Sequence, residues 1–156
     1  MSATHLDAPR QLQDMFLYRI SRLLSTASVP VLRECEQVHG ITRREWRVLA
    51  HLAQAEGCLS SELADLAQLD RVRTSRALSI LVDKGLVRRA PRPGDRRLVE
   101  LALTDAGRAL HAALLPEVTR LNRALLAGLS AAQLRQLEEV LEHLQQRAES
   151  LRGDGP

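Results

Sequence analysis

The stretch from residue 69 to residue 103 restricts the possible folds of this chain more than any other part. A helix is predicted between Asp70 and Gly85. Asp70 can accept the unpaired N–H groups of a first helical turn, and Gly85 can adopt the left-handed conformation that ends a helix. The periodicity then changes, and two short strands are expected at 86–90 and 98–103, separated by a turn-forming run with two prolines and a glycine. The stretch therefore predicts a helix followed directly by a β-hairpin.

The predicted helix has two faces of different character. Four residues recur at the spacing of one helix face and are expected to face the core, namely Thr74, Ala77, Leu78 and Leu81. The outer side of the first turns carries the side chains of Arg71, Arg73 and Arg76. A short helix with guanidinium groups near its N-terminus suits the major groove of DNA, where arginine can bond guanine in bidentate fashion.

The positive charge of the chain is concentrated in this stretch. Residues 70–97 contain nine basic and three acidic residues, a local net charge of +6, whereas the whole chain carries +3. The remainder is therefore net acidic. A localised basic patch on a nearly neutral body is typical of a DNA-binding face. A solvated charged face is the better interpretation of an isolated basic helix, but the helix, the hairpin and the local charge together favour DNA.

The segments before this stretch are predicted to be helical. A first helix is expected over 10–38, bent or broken at Pro30 because proline lacks an N–H donor and clashes with the preceding turn. Thr42 and Glu45 are spaced as a capping box that starts a second helix, and Ser60 caps a short third one. The residues of these two helices that should face inward are Trp46, Leu49, Leu52, Leu63, Leu66 and Ala67. With the basic helix and the hairpin, this order predicts a winged helix-turn-helix in a mainly α fold with a small β-hairpin wing.

Two further helices are predicted after the hairpin, the last of them starting at a capping box of Ser130 and Gln133. Its apolar residues alternate in steps of three and four, which makes a seam narrow enough for a partner helix. The seam residues are Leu134, Leu137, Leu141 and Leu144. The helix could instead pack on its own domain. A small winged domain offers no obvious groove for so many extra helices, so pairing with a second copy is the simpler solution.

Several other classes of protein are disfavoured by composition. The only aromatic residues are Phe16, Tyr18 and Trp46, so binding of single strands by base stacking is not expected. Cys35 and Cys58 form neither a disulfide framework nor a metal-binding pattern, which fits a reducing cytoplasm. No apolar run approaches the length of a membrane span, and no signal peptide or catalytic motif is recognised. We therefore expect a cytoplasmic protein that is not an enzyme and needs no metal or cofactor.

Three motifs together resemble one family. They are the segments 41–49 (ITRREWRVL), 81–89 (LVDKGLVRR), and 95–97 (DRR) followed by 101–107 (LALTDAG). The pattern resembles the MarR (multiple antibiotic resistance regulator) family of bacterial repressors over residues 11–151. The Asp-Arg-Arg wing followed by Leu-Thr-x-x-Gly is the most specific part. Pro30 is unusual for this family, and so are Arg73 and Thr74 at their positions.

The resemblance implies a homodimer that reads double-stranded DNA. Residues 10–38 and 104–152 would form the dimerisation module, and 41–103 the winged DNA-binding domain. Two such domains would bind a pseudo-palindrome with half-sites about 34–36 Å apart. Carried over by position, the DNA-facing residues are Arg71, Arg73, Ser75, Arg76, Arg92, Arg96 and Arg97, of which Arg92 and Arg96 lie at the wing tip. Asp95 with Arg97 would hold the shape of the wing rather than read bases.

The family resemblance also implies release from DNA by a small phenolic or aromatic carboxylate bound between the dimer arms and the winged domain. The candidate contacts are Tyr18, Arg22, Arg43, Trp46 and His111. An arginine could pair with the carboxylate and Trp46 could pack against the ring, although Trp46 fits a core position better.

Two alternatives stay open at this point. Some relatives sense oxidants through a cysteine, which makes Cys35 and Cys58 candidates, but two inert thiols are the favoured interpretation because neither has an evident activating cation. The same surface could also belong to a winged-helix module that binds a protein, in which case binding should depend only weakly on salt.

Overall fold

The structure is a computed structural model that describes residues 5–66 and 70–153, apart from the side chain of Arg96. The chain divides into two compact units, Met1–Leu121 and Asn122–Pro156. The described elements, in chain order, are a 3-10 turn (Leu12–Asp14), α1 (Phe16–Ala27), α2 (Val29–Arg33), a π-helical turn (Glu34–Val38), α3 (Arg43–Gln54), α4 (Ser60–Leu66), α5 (Arg71–Asp83), β1 (Val87–Arg92), β2 (Asp95–Leu103), α6 (Asp105–Leu126) and α7 (Ala131–Gly153). The predicted fold class, mainly helical with one antiparallel β-hairpin, is confirmed.

The first predicted helix is a series of shorter pieces rather than one helix. Met15 is extended, with φ −65° and ψ 127°, and separates the 3-10 turn from α1. Before it, the Asp14 carboxylate accepts the N–H groups of Arg10 at 3.0 Å and Gln11 at 3.3 Å, and these bonds lower the pKa of Asp14. Pro30 lies in the first turn of α2, where its missing N–H breaks no helical bond. The expected break at Pro30 is confirmed, but the helical start at residue 10 is wrong.

The start of α3 follows the predicted capping box. The Glu45 N–H donates to Thr42 Oγ1 at 3.2 Å, and the Thr42 N–H donates to Glu45 Oε2 at 3.4 Å. The inward residues of α3 and α4 that are buried as predicted are Trp46, Leu49, Leu52 and Leu63. Leu66 is 52% exposed, so its inward placement is wrong, and Ala67 lies outside the described residues. Leu66 follows the buried pair Leu63 and Ala64 at the end of a seven-residue helix, beyond the stripe that meets the core.

The hairpin is longer and its turn tighter than predicted. Its strands pair from Val87 opposite Leu103 as far as Pro91 opposite Val99; the register then shifts, and Arg92 stands opposite Asp95. Only Pro93 and Gly94 remain in the turn, and Gly94 has a φ of +88° that suits glycine. The predicted turn over 91–97 was too long because Pro91 remains compatible with a strand that has only one neighbour.

The base of the hairpin is built into the core of the first unit. Leu101 and Leu103 are 1% exposed. Val99 has the same parity in the strand but is 45% exposed, because it lies farther along the hairpin. The Gly57 N–H donates to Leu101 O at 2.8 Å, and the Leu101 N–H donates to Cys58 O at 3.0 Å. These bonds attach the segment after α3 to the free edge of β2.

The Leu-Thr-x-x-Gly motif joins the hairpin to α6. Thr104 Oγ1 donates to Gly85 O at 2.6 Å and accepts the Gly107 N–H at 3.0 Å. A Cβ added at Gly107 would lie 2.0 Å from Leu86 O, so only glycine lets α6 approach this backbone. The motif therefore allows the start of α6 to pack closely against the backbone at the end of α5.

The second unit contains the end of α6 and α7. The predicted capping box is confirmed: the Ser130 N–H donates to Gln133 Oε1 at 2.8 Å, and the Gln133 N–H donates to Ser130 Oγ at 3.3 Å. Along the predicted seam, Leu134 and Leu144 are half-buried, Leu137 is 38% exposed and Leu141 is 49% exposed. None of the described helices combines the length and the apolar character needed to cross a membrane.

Candidate nucleic-acid interface

α5 presents the predicted polar face to solvent. Its buried residues are Thr74, Ala77, Leu78 and Leu81, as the periodicity predicted. The residues expected to face DNA on this helix, Arg71, Arg73, Ser75 and Arg76, are all exposed. The core-facing stripe therefore leaves three arginine side chains exposed near the start of the helix.

The N-terminus of α5 is fixed by Asp70. Its carboxylate accepts the Arg73 N–H at 2.7 Å, and its second oxygen lies 3.0 Å from Arg73 Nε. The side chains of Arg73 and Asp70 are 65% and 51% exposed, so water screens this ion pair and its contribution to stability is small. The pair therefore orients Arg73 in the free protein. Because the pair is weak, the Arg73 guanidinium can leave Asp70 and bind another anion.

The C-terminus of α5 is fixed by a contact that sequence reasoning missed. Lys84 Nζ donates to Glu45 Oε2 at 2.6 Å and to Gly40 O at 2.8 Å. Glu45 is only 4% exposed, so its carboxylate depends on this partner and on the capping bonds with Thr42. Lys84 thus joins the end of α5 to the start of α3. No local signal could show this, because the two residues are 39 positions apart.

The wing arginines have different surroundings. Arg92 Nε donates to Glu100 Oε1 at 2.6 Å, and Arg92 Nη2 lies 3.4 Å from Gly57 O. This hydrogen bond to Glu100 raises the pKa of Arg92. Arg92 therefore braces the hairpin against the segment after α3 in the free chain, a role that the expectation of a DNA contact at the wing tip did not include.

The turn of the wing is held by Asp95, whose Oδ1 accepts the Arg97 N–H at 3.0 Å. That Asp95 with Arg97 holds the shape of the wing stays a prediction. Arg97 is exposed, as a DNA contact would require. The side chain of Arg96, the other predicted wing-tip contact, lies outside the described part of the structure.

The five candidate effector contacts have different surroundings in the part of the chain that the structure describes. Trp46 and His111 stack with ring centroids 5.5 Å apart, and Trp46 is 6% exposed within the core. Arg22 lines a depression of about 520 Å³ along α1, and Arg43 lines a separate groove of about 450 Å³. Tyr18 is half-buried on α1.

The two cysteines lack the environment of a reactive thiol. Cys35 is buried and Cys58 half-buried. Burial raises the pKa of both thiols, and the neighbouring carboxylates of Glu34 and Glu62 act in the same direction on Cys35 and Cys58 respectively. At neutral pH both side chains are therefore held as thiols, the unreactive form.

Comparison with known proteins identifies the family. The family model described as "MarR family" matches residues 39–98. An "HTH-type transcriptional repressor" of Mycobacterium tuberculosis is 31% identical over 128 residues, which cover 82% of this chain and 89% of that protein. The chain belongs to the MarR family. The resemblance predicted from the three motifs is thereby confirmed, and so is the expectation of a non-enzymatic protein, since this is a family of transcriptional regulators.

Other relatives extend the comparison. An uncharacterized regulator of Bacillus subtilis is 31% identical over 109 residues, which cover 70% of this chain and 66% of that protein. The homoprotocatechuate degradative operon repressor of Escherichia coli is 26% identical over 132 residues, or 82% of this chain and 89% of that protein. The crystal structure of a mutant E. coli MarR, solved with operator DNA, has a TM-score of 0.74 and 27% identity. That match covers 86% of this chain and 98% of the solved chain.

Proposed function

We propose that this MarR-family protein is a repressor that binds a pseudo-palindromic operator as a homodimer. The observation that carries the proposal is the outward face of α5, where Arg71, Arg73 and Arg76 are exposed on a helix anchored at both ends. Such a helix can enter the major groove without first having to be ordered. The solved MarR complex with operator DNA supports the same use of this fold.

The homodimer is supported by apolar surface that the single chain leaves uncovered. Within the described chain, α1 contributes no buried residue, and Leu17 is 77% exposed and Leu23 54% exposed. Leu137 and Leu141 on α7 are also exposed. We assign 10–38 and 104–152 to the dimerisation module and 41–103 to the reading domain. A second copy is the partner that would cover these surfaces in a protein expected in the cytoplasm beside its DNA target.

The effector we propose is a small aromatic or phenolic carboxylate. Support comes from the E. coli relative, which is named as the repressor of a homoprotocatechuate degradative operon. The raised pKa values of Cys35 and Cys58 argue against the thiol-based alternative. Addition of such acids to the protein–DNA complex should lower its affinity, whereas oxidant should not; the reverse result would favour the cysteine sensor.

The operator proposal is tested by replacing Arg76 with alanine. We expect affinity for DNA from the promoter of its own gene to fall by about 1–3 kcal/mol, with relaxed sequence preference, because a base contact is lost. Fluorescence anisotropy with promoter and scrambled duplexes measures both quantities. Arg135→Ala, which removes the same charge from exposed α7, is the matched control and should bind normally.

The same titrations, repeated over a range of salt, decide between DNA and a protein partner. Affinity for DNA should fall steeply with salt because each neutralised phosphate releases counterions. Absence of salt-dependent binding to any duplex would overturn the operator proposal and favour the protein-interaction module.

A further inference from the structure

A second basic surface lies beside α5, in the groove of about 450 Å³ noted above. It runs between the α2 region, the start of α3 and the start of α5. Among the described residues that line it, four are arginines and only Glu36 carries a carboxylate. The arginines are Arg43, Arg44, Arg47 and Arg73. We call these four residues and the space between them the arginine groove.

At least two charges of the arginine groove are left without a neutralising partner. Among the described residues, neither Arg43 nor Arg44 has a carboxylate at salt-bridge distance, and Arg73 pairs only with the exposed Asp70. Like charges around one groove repel each other, which costs stability unless an anion enters. The groove is therefore electrostatically suited to an oxyanion.

The chemistry of the lining favours phosphate over the aromatic acid discussed above. Pockets for small aromatic ligands are mostly apolar, with few polar groups, whereas Leu32 is the one large apolar side chain that lines this groove in the described chain. Arginine forks bind phosphate oxygens in bidentate fashion, and several can share one phosphate.

The position of the groove selects the source of that phosphate. Arg73 belongs both to the groove and to the exposed face of α5 that we assign to the major groove. The sugar-phosphate strands form the edges of the major groove, so a duplex that receives α5 brings a strand beside this helix. We propose that the arginine groove binds a backbone phosphate of the operator next to the half-site read by α5. This inference rests on the proposed function, and it adds a contact that holds the protein in register without reading bases.

The test uses the full-length protein with Arg43→Gln/Arg44→Gln and with Arg44→Gln alone. Arg44 is exposed, so the single variant should fold normally even if the change at half-buried Arg43 does not. Arg135→Gln/Arg147→Gln on α7 is the control with matched charge. We expect Arg44→Gln to weaken binding of operator and scrambled duplexes by a similar factor, about tenfold for one lost charge-assisted bond, and the double variant to bind both no more tightly than Arg44→Gln. The slope of log affinity against log salt should fall by about 1.

A scan with neutral methylphosphonate linkages locates the phosphate. In the wild-type protein, one position per half-site should weaken binding, and the same substitution should have no further effect on the Arg44→Gln variant. If the wild type binds the operator but the groove variants keep its affinity and salt slope, or if no methylphosphonate position is coupled to Arg44, the inference is wrong while the proposed function stands. If the wild type binds no duplex, the proposed function itself fails.

Discussion

Thr74 has an unusual environment for a polar side chain. It is fully buried in α5, and its hydroxyl has no hydrogen-bond partner within the described structure. Burying an unpaired hydroxyl is unfavourable, because the group loses its bonds to water and gains none in exchange. The sequence marked Thr74 as unusual for the family and placed it on the core face, but only the packing around it shows that the hydroxyl is unpaired.

We therefore predict that Thr74→Val stabilises the protein. Valine keeps the shape of threonine and removes the unpaired oxygen, so the free energy of unfolding should rise by about 1 kcal/mol. Urea denaturation followed by circular dichroism measures the change. Thr119→Val is the control, since the Thr119 hydroxyl donates to Leu115 O at 2.8 Å and its loss should bring no gain. A less stable Thr74→Val variant would show that the hydroxyl has a partner after all.

At the scale of secondary-structure elements, α5 is held by one contact at each end. Asp70 caps its start, and Lys84 links its end to the buried carboxylate of Glu45 and to Gly40 O. Gly40 lies between the α1–α2 region and α3, so this link reaches the segment that connects the proposed dimer arm to the reading domain. The orientation of α5 therefore depends on residues that are not among its proposed DNA contacts.

We predict that Lys84→Met destabilises the protein by roughly 1–3 kcal/mol. Methionine fills similar space but leaves the Glu45 carboxylate buried without its cation, and the loss is limited because the Lys84 side chain is 36% exposed to water. Thermal and urea denaturation measure the effect. The double variant Lys84→Met/Glu45→Gln should recover part of the loss, since no buried charge remains. If the double variant were as unstable as the two single losses added together, the ion pair would not be the cause.

An element could be predicted from the sequence where the interactions that define it join residues close together in the chain. Asp70 and the Thr42–Glu45 box act within one turn, so the starts of α5 and α3 were predicted correctly. The contact of Lys84 with Glu45 joins distant segments of the chain, and the contact of Arg92 with Glu100 depends on the register shift after Pro91. Neither contact produces a recognisable sequence pattern. The helical periodicity that predicts the core stripe of α5 also predicts that its arginines are exposed. The effector site stays a prediction, because Arg22 and Arg43 line different depressions of the single chain and the expected site includes the dimer arms.

At the scale of the whole molecule, the single chain leaves many apolar side chains of α1 and α7 exposed to solvent. With the turn that precedes α1, they include Leu12, Met15, Leu17, Leu23, Leu24, Val140 and Leu141, each between 46% and 77% exposed. Apolar surface on this scale usually marks a contact with another protein. The proposed homodimer gives these side chains a common explanation.

We predict that Leu141→Glu prevents formation of the homodimer. A carboxylate at the centre of the seam would lose its hydration without gaining a partner when two copies meet. Multi-angle light scattering should then give a mass near 17.3 kDa for the variant and twice that for the wild type, and specific DNA binding should be largely lost. Gln136→Glu places the same charge outside the seam and should leave the dimer intact. A stable dimer of the Leu141→Glu variant would contradict the assignment of the seam.

The uncovered face of α1 affects how steeply operator occupancy depends on the concentration of this regulator in a cell. If two chains must associate before either can bind an operator, the concentration of active dimer rises with the square of the chain concentration as long as most chains are monomers. Halving synthesis would then cut promoter occupancy by more than half. We expect a gene controlled in this way to respond sharply to small changes in the supply of its own repressor.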